Sequence, residues 1–94
     1  MASTPDELTI NWNEGGIDTV KELDKKILSK GAWATILFRY QDWVPSKEEY
    51  SKDKYSIRRY QKRNGEYQQK SKFNISSPDQ AQQLIEALQG WIKD

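Results

Sequence analysis

The sequence contains no cysteine and no histidine. Without cysteine, the chain has no disulfides, no thiolate nucleophile and no zinc–thiolate site. Without histidine, it also lacks the commonest general base and a common ligand of transition metals. No apolar run approaches the roughly 20 residues needed to cross a bilayer, and the first residues show no secretory signal pattern. We therefore expect a cytoplasmic protein that uses neither a metal nor a cofactor.

The sequence is also poor in patterns that indicate catalysis. Its 94 residues suit one small domain, which leaves little room for a large substrate cavity. Acidic residues occur as neighbours, as in Asp6-Glu7 and Glu48-Glu49, and not in an arrangement that indicates carboxylates facing each other across a cleft. We expect a single domain over residues 1–94, disordered at residues 1–6, and we expect that it is not an enzyme.

Positive charge is concentrated in one segment. Residues 54–72 contain seven basic residues and one acidic residue, Glu66, so this segment carries a net charge of +6. Because the whole chain carries +1, the remainder carries −5. Charge gathered on one segment is typical of a surface that meets polyanions, whereas scattered charge usually serves only solubility.

The first half of the chain predicts a strand, a helix and a second strand. Alternating apolar residues at 8–12 predict a strand, which is ended by Asn13-Glu14-Gly15-Gly16. Residues 17–30 carry apolar side chains at helical spacing, followed by Gly31, and predict a helix. Residues 33–44 are dense in β-branched and aromatic side chains and predict a long strand. The charged, proline-containing stretch at 45–53 predicts a loop.

The second half predicts a hairpin and a final helix. Strand-like runs at 54–62 and 66–76 flank Asn64-Gly65, a strong hairpin signal. Ser77 is a good N-cap, and Pro78 suits the first helical position. The helix that follows has one apolar stripe, formed by Ala81, Leu84, Ile85, Leu88, Trp91 and Ile92. The expected fold is α+β, in the order β-α-β-β-β-α, with a curved antiparallel sheet packed on one face by helices.

The register of the hairpin decides which side chains share a face. A strict two-residue turn places Ile57 on the same face as Lys70 and Lys72, which mixes apolar and charged residues. A three-residue loop with a bulge at Gly65 pairs Arg58 with Lys70 instead, and we predict this register. The predicted buried side then carries Tyr55, Ile57, Tyr67, Phe73 and Ile75. The predicted outer side carries Arg58, Tyr60, Lys62, Gln68, Lys70, Lys72 and Asn74.

Cations beside aromatic rings on an open sheet face suit single-stranded nucleic acid, since the cations follow phosphates and unstacked bases lie on rings. A solvated antiparallel face is also commonly rich in lysine and arginine, which is the simpler structural explanation. The candidate nucleic-acid-binding residues are Arg39, Trp43, Lys54, Arg58, Tyr60, Lys62, Lys70 and Lys72. The last helix leaves Leu88, Trp91 and Ile92 as candidates for the interface of a homodimer.

Residues 55–88 resemble the positive cofactor four family of transcriptional coactivators and its bacterial single-stranded-DNA-binding relatives. The resemblance lies in Ile57-Arg58-Arg59-Tyr60, in Gly65-Glu66, in Ile75-Ser76 and in a following helix with a glutamine near its start. It implies a dimer of curved antiparallel sheets that binds single-stranded or melted DNA through basic and aromatic residues, with the helices supporting the dimer. The residues carried over by position are Arg58, Tyr60, Lys70 and Lys72. The family begins with strands, so the helix expected at 17–30 and the long loop at 45–53 depart from it.

Two other functions fit the same residues. A three-stranded sheet can enter the major groove of a duplex and read DNA there. The basic hairpin can also dock an acidic protein partner, or a free strand edge can add a strand from a peptide. Single-stranded nucleic-acid binding, in transcription regulation or DNA metabolism, remains the leading hypothesis from the sequence.

Overall fold

A computed structural model describes residues 4–92, which form an antiparallel sheet followed by one α-helix. The elements are β1 (Trp12–Glu14), β2 (Ile17–Ser29), β3 (Trp33–Val44), β4 (Glu49–Tyr50), β5 (Lys54–Arg63), β6 (Glu66–Ile75) and α1 (Pro78–Ile92). The strand order is β1-β2-β3-β5-β6, and β4 pairs with the end of β3. The α+β class and the curved antiparallel sheet are confirmed, but the predicted β-α-β-β-β-α order is wrong.

The error in the order is the helix predicted at 17–30, which is the strand β2. Its pairing with β3 shifts register between Glu22 and Asp24 and again between Ile27 and Ser29. Each bulge inserts one extra residue and reverses the alternation of faces that follows. Val20 and Ile27 therefore both pack against the same core, although they are an odd number of positions apart, and strict alternation would place them on opposite faces. The two bulges therefore change the two-residue spacing of apolar side chains in a strand into a spacing that resembles that of a helix.

The core lies on one face of the sheet, under the N-terminal segment. Side chains from alternate positions of β3 form its centre, and Phe38 is completely buried. The N-terminal segment lies across these residues and adds two apolar side chains. The buried cluster consists of Leu8, Ile10, Ala34, Ile36, Phe38, Tyr40 and Tyr60. We refer to this side of the sheet as the core face.

Polar groups of β2 fasten the N-terminal segment to the core face. The Lys25 ammonium donates hydrogen bonds to the carbonyl oxygens of Asp6 and Leu8, both at 2.7 Å, and of Pro5 at 3.2 Å. The Glu22 carboxylate accepts hydrogen bonds from the Thr9 hydroxyl at 2.8 Å and from the Ile10 amide at 3.3 Å. The strand expected at 8–12 is limited to β1, which starts at Trp12. Within the segment expected to be disordered, Pro5 and Asp6 belong to a 3-10 helix, Pro5–Glu7, and residues 1–3 lie outside the described residues.

The helix α1 lies against the other face of the sheet, which we refer to as the helix face. The Ser77 hydroxyl accepts a hydrogen bond from the Gln80 amide at 3.1 Å, and the Gln80 side chain accepts one from the Ser76 amide at 2.9 Å, as a helix start requires. No residue of α1 is buried. A groove of about 510 Å³ separates the helix from the sheet, and apolar side chains such as Leu37, Ile57, Ile75 and Leu84 line it.

The hairpin of β5 and β6 has a two-residue turn and a bulge inside the strand. Arg63 pairs with Glu66, and both Asn64 and Gly65 have positive φ, at 52° and 80°, as the tight hairpin turn of an Asn-Gly pair requires. The register shifts between Arg59 and Tyr60, so that β6 carries the extra residue, Lys70. The predicted bulge at Gly65 is therefore wrong in position. The bulge lies within β6 instead. In the part of the hairpin that contains Arg58 and Ile75, the charged side chains still lie on one face and the apolar side chains on the other.

Candidate nucleic-acid interface

The hairpin brings basic side chains together on the core face. Arg58 lies directly opposite Lys72, and Ile57 lies opposite Phe73 on the other face. Lys62 shares the face of Arg58 by alternation along β5, and Lys70 is the extra residue of the bulge, between the residues that pair with Tyr60 and Arg59. Lys62, Lys70 and Lys72 are exposed, and Arg58 is half-buried. We refer to these four residues, Arg58, Lys62, Lys70 and Lys72, as the basic strip.

The basic strip is accessible because the two covering elements lie elsewhere. The helix α1 packs on the helix face, beside Ile57 and Ile75. The N-terminal segment is held by Glu22 and Lys25 of β2, at the opposite side of the sheet from β6. The core face is thus closed over β2, β3 and the Ser56 and Tyr60 side chains of β5, and it is open over the exposed residues of the basic strip.

The charges of the basic strip have no carboxylate partner within residues 4–92. The ion pairs in this part of the chain are Arg39 with Asp53, at 3.8 Å, and Lys54 with Asp42, at 2.7 Å. Like charges directly opposite each other on neighbouring strands are destabilising, and Arg58 and Lys72 occupy such positions. An anion placed between them relieves that repulsion.

Tyr60 is less accessible than the predicted stacking role requires. Its side chain belongs to the buried cluster and is 5% exposed. Burial raises the pKa of the Tyr60 hydroxyl, and the positive charge of Arg58 partly opposes this. The ring therefore forms part of the floor beside Arg58, and its flat face is not free to stack a base.

Tyr67 is the aromatic residue on this face that the sequence analysis assigned to the other side. It pairs with Lys62, whose ammonium lies 5.6 Å from the centre of its ring. Its hydroxyl donates a hydrogen bond to the Gly31 carbonyl oxygen at 2.6 Å, which fixes the half-buried ring at the end of the basic strip. A strict two-residue Asn-Gly turn predicts this pairing, so the turn type was the signal that could have identified Tyr67.

The structure separates three other candidate residues from the basic strip. Lys54 is on the core face, but its ammonium is paired with Asp42, whose hydrogen bond raises the pKa of Lys54. Arg39 lies opposite Tyr55, on the helix face, and pairs with Asp53. Trp43 packs edge-on against Tyr50, with ring centres 5.1 Å apart. Neither Arg39 nor Trp43 extends the basic strip.

The candidate dimer residues form an apolar surface on α1. Leu88, Trp91 and Ile92 are 44%, 79% and 76% exposed. Phe73 on β6 is also exposed, on the same side of the sheet as the groove beneath α1. This apolar surface and the basic strip lie on opposite faces of the sheet.

The described part of the chain has neither a metal-binding cluster nor a membrane-spanning helix. Residues 4–92 contain no group of three acidic, cysteine or histidine side chains that could hold a metal ion. Within the same range, no helix has the length and apolar character needed to span a membrane. Comparisons of the chain with family models, curated proteins and solved structures find no match.

Proposed function

We propose that this chain is a non-enzymatic protein that binds single-stranded nucleic acid through the basic strip. Arg58, Lys70 and Lys72 contact the phosphates, and bases lie along the open half of the core face, toward Tyr67. Single-stranded DNA is the expected ligand, in a role similar to that of a transcriptional coactivator.

The observation that carries the proposal is the cross-strand pair of Arg58 and Lys72. The two cations lie opposite each other, and no carboxylate within residues 4–92 neutralises either one. Such an arrangement costs stability unless an anion accompanies it. A chain of phosphates supplies several anions at regular spacing, which suits a row of cations along two strands.

The resemblance to the positive cofactor four family supports the same ligand. The apolar spacing at 17–30 predicts a helix in the first half of the chain, where that family has strands. The structure has the strand β2 there, and its long strands precede a C-terminal helix. Single strands suit the site better than duplexes, because a duplex hides the flat faces of its bases.

We also propose that the chain acts as a homodimer through α1 and the helix face. Trp91 and Ile92 are more than three-quarters exposed, and apolar side chains line the groove under α1. A second copy of this surface can cover the first through a two-fold axis, since such an interface requires only a self-complementary patch. The dimer leaves both basic strips open, because they lie on the other face of the sheet.

The test is a fluorescence-anisotropy titration of a labelled 20-nucleotide oligothymidine and a matched duplex at several salt concentrations. We expect preferential binding of the single strand, with a log–log salt slope of about −0.7 for each phosphate contacted. Arg58→Ala is expected to weaken binding by roughly tenfold, the effect of losing one charge-assisted hydrogen bond.

Arg59→Ala is the matched control, because Arg59 is the next residue and lies on the helix face, above the ring of Trp33. It removes the same charge and is expected to change affinity far less than Arg58→Ala. The absence of binding at low salt, or equal losses in the two variants, contradicts the proposal. Preference for the duplex favours the sheet-reading alternative, and a protein partner retained after nuclease treatment favours the interaction module.

A further inference from the structure

Arg58 differs from the lysines of the basic strip because other side chains hold its guanidinium in place. Its Nε donates a hydrogen bond to the Ser56 hydroxyl at 3.2 Å, and its Nη1 donates one to the Gln69 side-chain oxygen at 2.9 Å. These two bonds come from opposite ends of the planar guanidinium. They therefore fix both the position and the orientation of the plane.

Ser56 is itself fixed. It is completely buried, and its hydroxyl donates a hydrogen bond to the Asn74 side-chain oxygen at 2.7 Å. Because its one proton is directed toward Asn74, its lone pairs are available to accept from Arg58. The chain of bonds runs from Asn74 on β6 through Ser56 and Arg58 on β5 and back to Gln69 on β6.

Both acceptors are neutral, so they orient Arg58 without cancelling its charge. Lys54 shows the contrasting arrangement on the same face, where the Asp42 carboxylate lies 2.7 Å from the ammonium. At least two of the five N–H donors of Arg58 remain after its hydrogen bonds to Ser56, Gln69 and the Tyr60 hydroxyl. A half-buried arginine that is held by neutral groups keeps both its charge and free donors for a phosphate.

We infer that Ser56 and Gln69 are positioning residues, which hold Arg58 in advance in the geometry that binds a phosphodiester oxygen. The inference rests on the proposed function and adds to it that two uncharged residues determine affinity. Holding the side chain in advance removes the entropy loss that a free arginine incurs on binding. Lys70 and Lys72 are exposed and have no such support among the hydrogen bonds of residues 4–92.

Gln69→Met tests the inference, with Gln68→Met as the matched control. Gln68 is the adjacent glutamine and is also exposed, but it pairs with Gln61 and lies on the other face. In the oligothymidine titration we expect Gln69→Met to weaken binding by about 2- to 10-fold, the effect of one lost hydrogen bond. The salt slope should stay unchanged in Gln69→Met and become shallower by about 0.7 in Arg58→Ala, since only the latter removes a phosphate contact.

A double-mutant cycle separates positioning from a direct contact. Once Arg58 is replaced by alanine, Gln69→Met should cause no further loss, because there is no guanidinium left to position. Ser56→Ala should behave in the same way at a temperature where its melting curve shows it to be folded. A loss that persists in the Arg58→Ala background, or a Gln69→Met effect equal to that of Gln68→Met, overturns the inference and leaves the proposed function standing. If the unsubstituted protein does not bind at low salt, the proposed function fails and the inference fails with it.

Discussion

On the core face, the N-terminal segment covers β2 and β3, Tyr60 of β5 is buried with them, and the basic strip is left open; on the helix face, α1 covers the sheet incompletely. The two uncovered areas differ in chemistry. The first carries Arg58 and the three lysines of the basic strip, and the second carries exposed Phe73, Leu88 and Trp91. Exposed cations are well solvated by water, whereas an exposed apolar area is stabilised when a partner covers it.

The two faces therefore suit different kinds of partner. Cations without carboxylate neighbours suit a polyanion that comes and goes with salt concentration. Contiguous apolar side chains suit a permanent protein partner, since they lose free energy when exposed to water. Substitutions on one face should therefore change nucleic-acid affinity, and substitutions on the other should change oligomeric state.

The largest expected effect is a loss of stability from a substitution in the closed half of the core face. Phe38 is completely buried there, whereas Leu37, the preceding residue of β3, is half-buried on the helix face. Phe38→Ala should lower the free energy of unfolding by about 3–5 kcal/mol through lost burial and the cavity left behind. Denaturant unfolding measures this, and Leu37→Ala is the control with the smaller expected loss. Equal losses would contradict the location of the core on one face.

The second effect concerns the apolar area on α1. Trp91→Ala should shift the proposed dimer toward monomer, with a loss of about 2 kcal/mol or more in association free energy, as expected for an aromatic residue buried in an interface. Sedimentation equilibrium measures the association constant. Glu86→Ala is the control, because Glu86 lies on α1 outside the groove. A protein that is monomeric before any substitution would refute the assignment of a second copy to this face.

The third effect concerns the attachment of the N-terminal segment. Lys25→Met removes an ammonium that bonds to three carbonyl oxygens, and it should lower the free energy of unfolding by about 1.5–3 kcal/mol, the range for hydrogen bonds to a charged group. The adjacent, exposed Lys26 gives the control variant Lys26→Met. Hydrogen exchange should become faster at Ile10 in the first variant alone. Unchanged exchange at Ile10 would show that Lys25 does not hold the segment.

The sequence predicted the elements whose patterns are undisturbed. The strand at 33–44 agrees with the observed β3 because apolar and polar residues alternate along it without interruption. The start of α1 follows from Ser77 and Pro78, whose roles are local. The grouping of Arg58 with Lys72 could be predicted because only a bulged register separates the charged side chains from the apolar ones.

The sequence did not predict the positions of the bulges, and two of the errors follow from them. Bulges after Glu22 and after Ile27 gave β2 the apolar spacing of a helix. Placing the third bulge in the turn instead of at Lys70 assigned Tyr67 to the wrong face. Bulges depend on the curvature of the whole sheet, which no local pattern encodes. The positioning of Arg58 by Ser56 and Gln69 could not be foreseen either, because it depends on the register that the bulge sets.

The smallest expected effect is a pH dependence of the free energy of unfolding, which arises from the closed half of the core face. Burial raises the pKa of Tyr60 and of Tyr40 above the usual tyrosine value of 10.0. Above that pH, the unfolded chain loses phenolic protons that the folded chain retains, so the free energy of unfolding falls as the pH rises. Below it, both states are protonated and these two groups contribute no dependence.

Replacement of both tyrosines by phenylalanine tests this contribution. The double variant Tyr40→Phe with Tyr60→Phe should lose less stability between pH 9 and pH 11 than the unsubstituted protein, since phenylalanine has no proton to release at about pH 10. Denaturant unfolding at each pH gives both curves, and their difference removes the contribution of the lysines that titrate in the same range. Parallel curves would mean that the two hydroxyls reach water in the folded state, and that the N-terminal segment does not close the core face over β3.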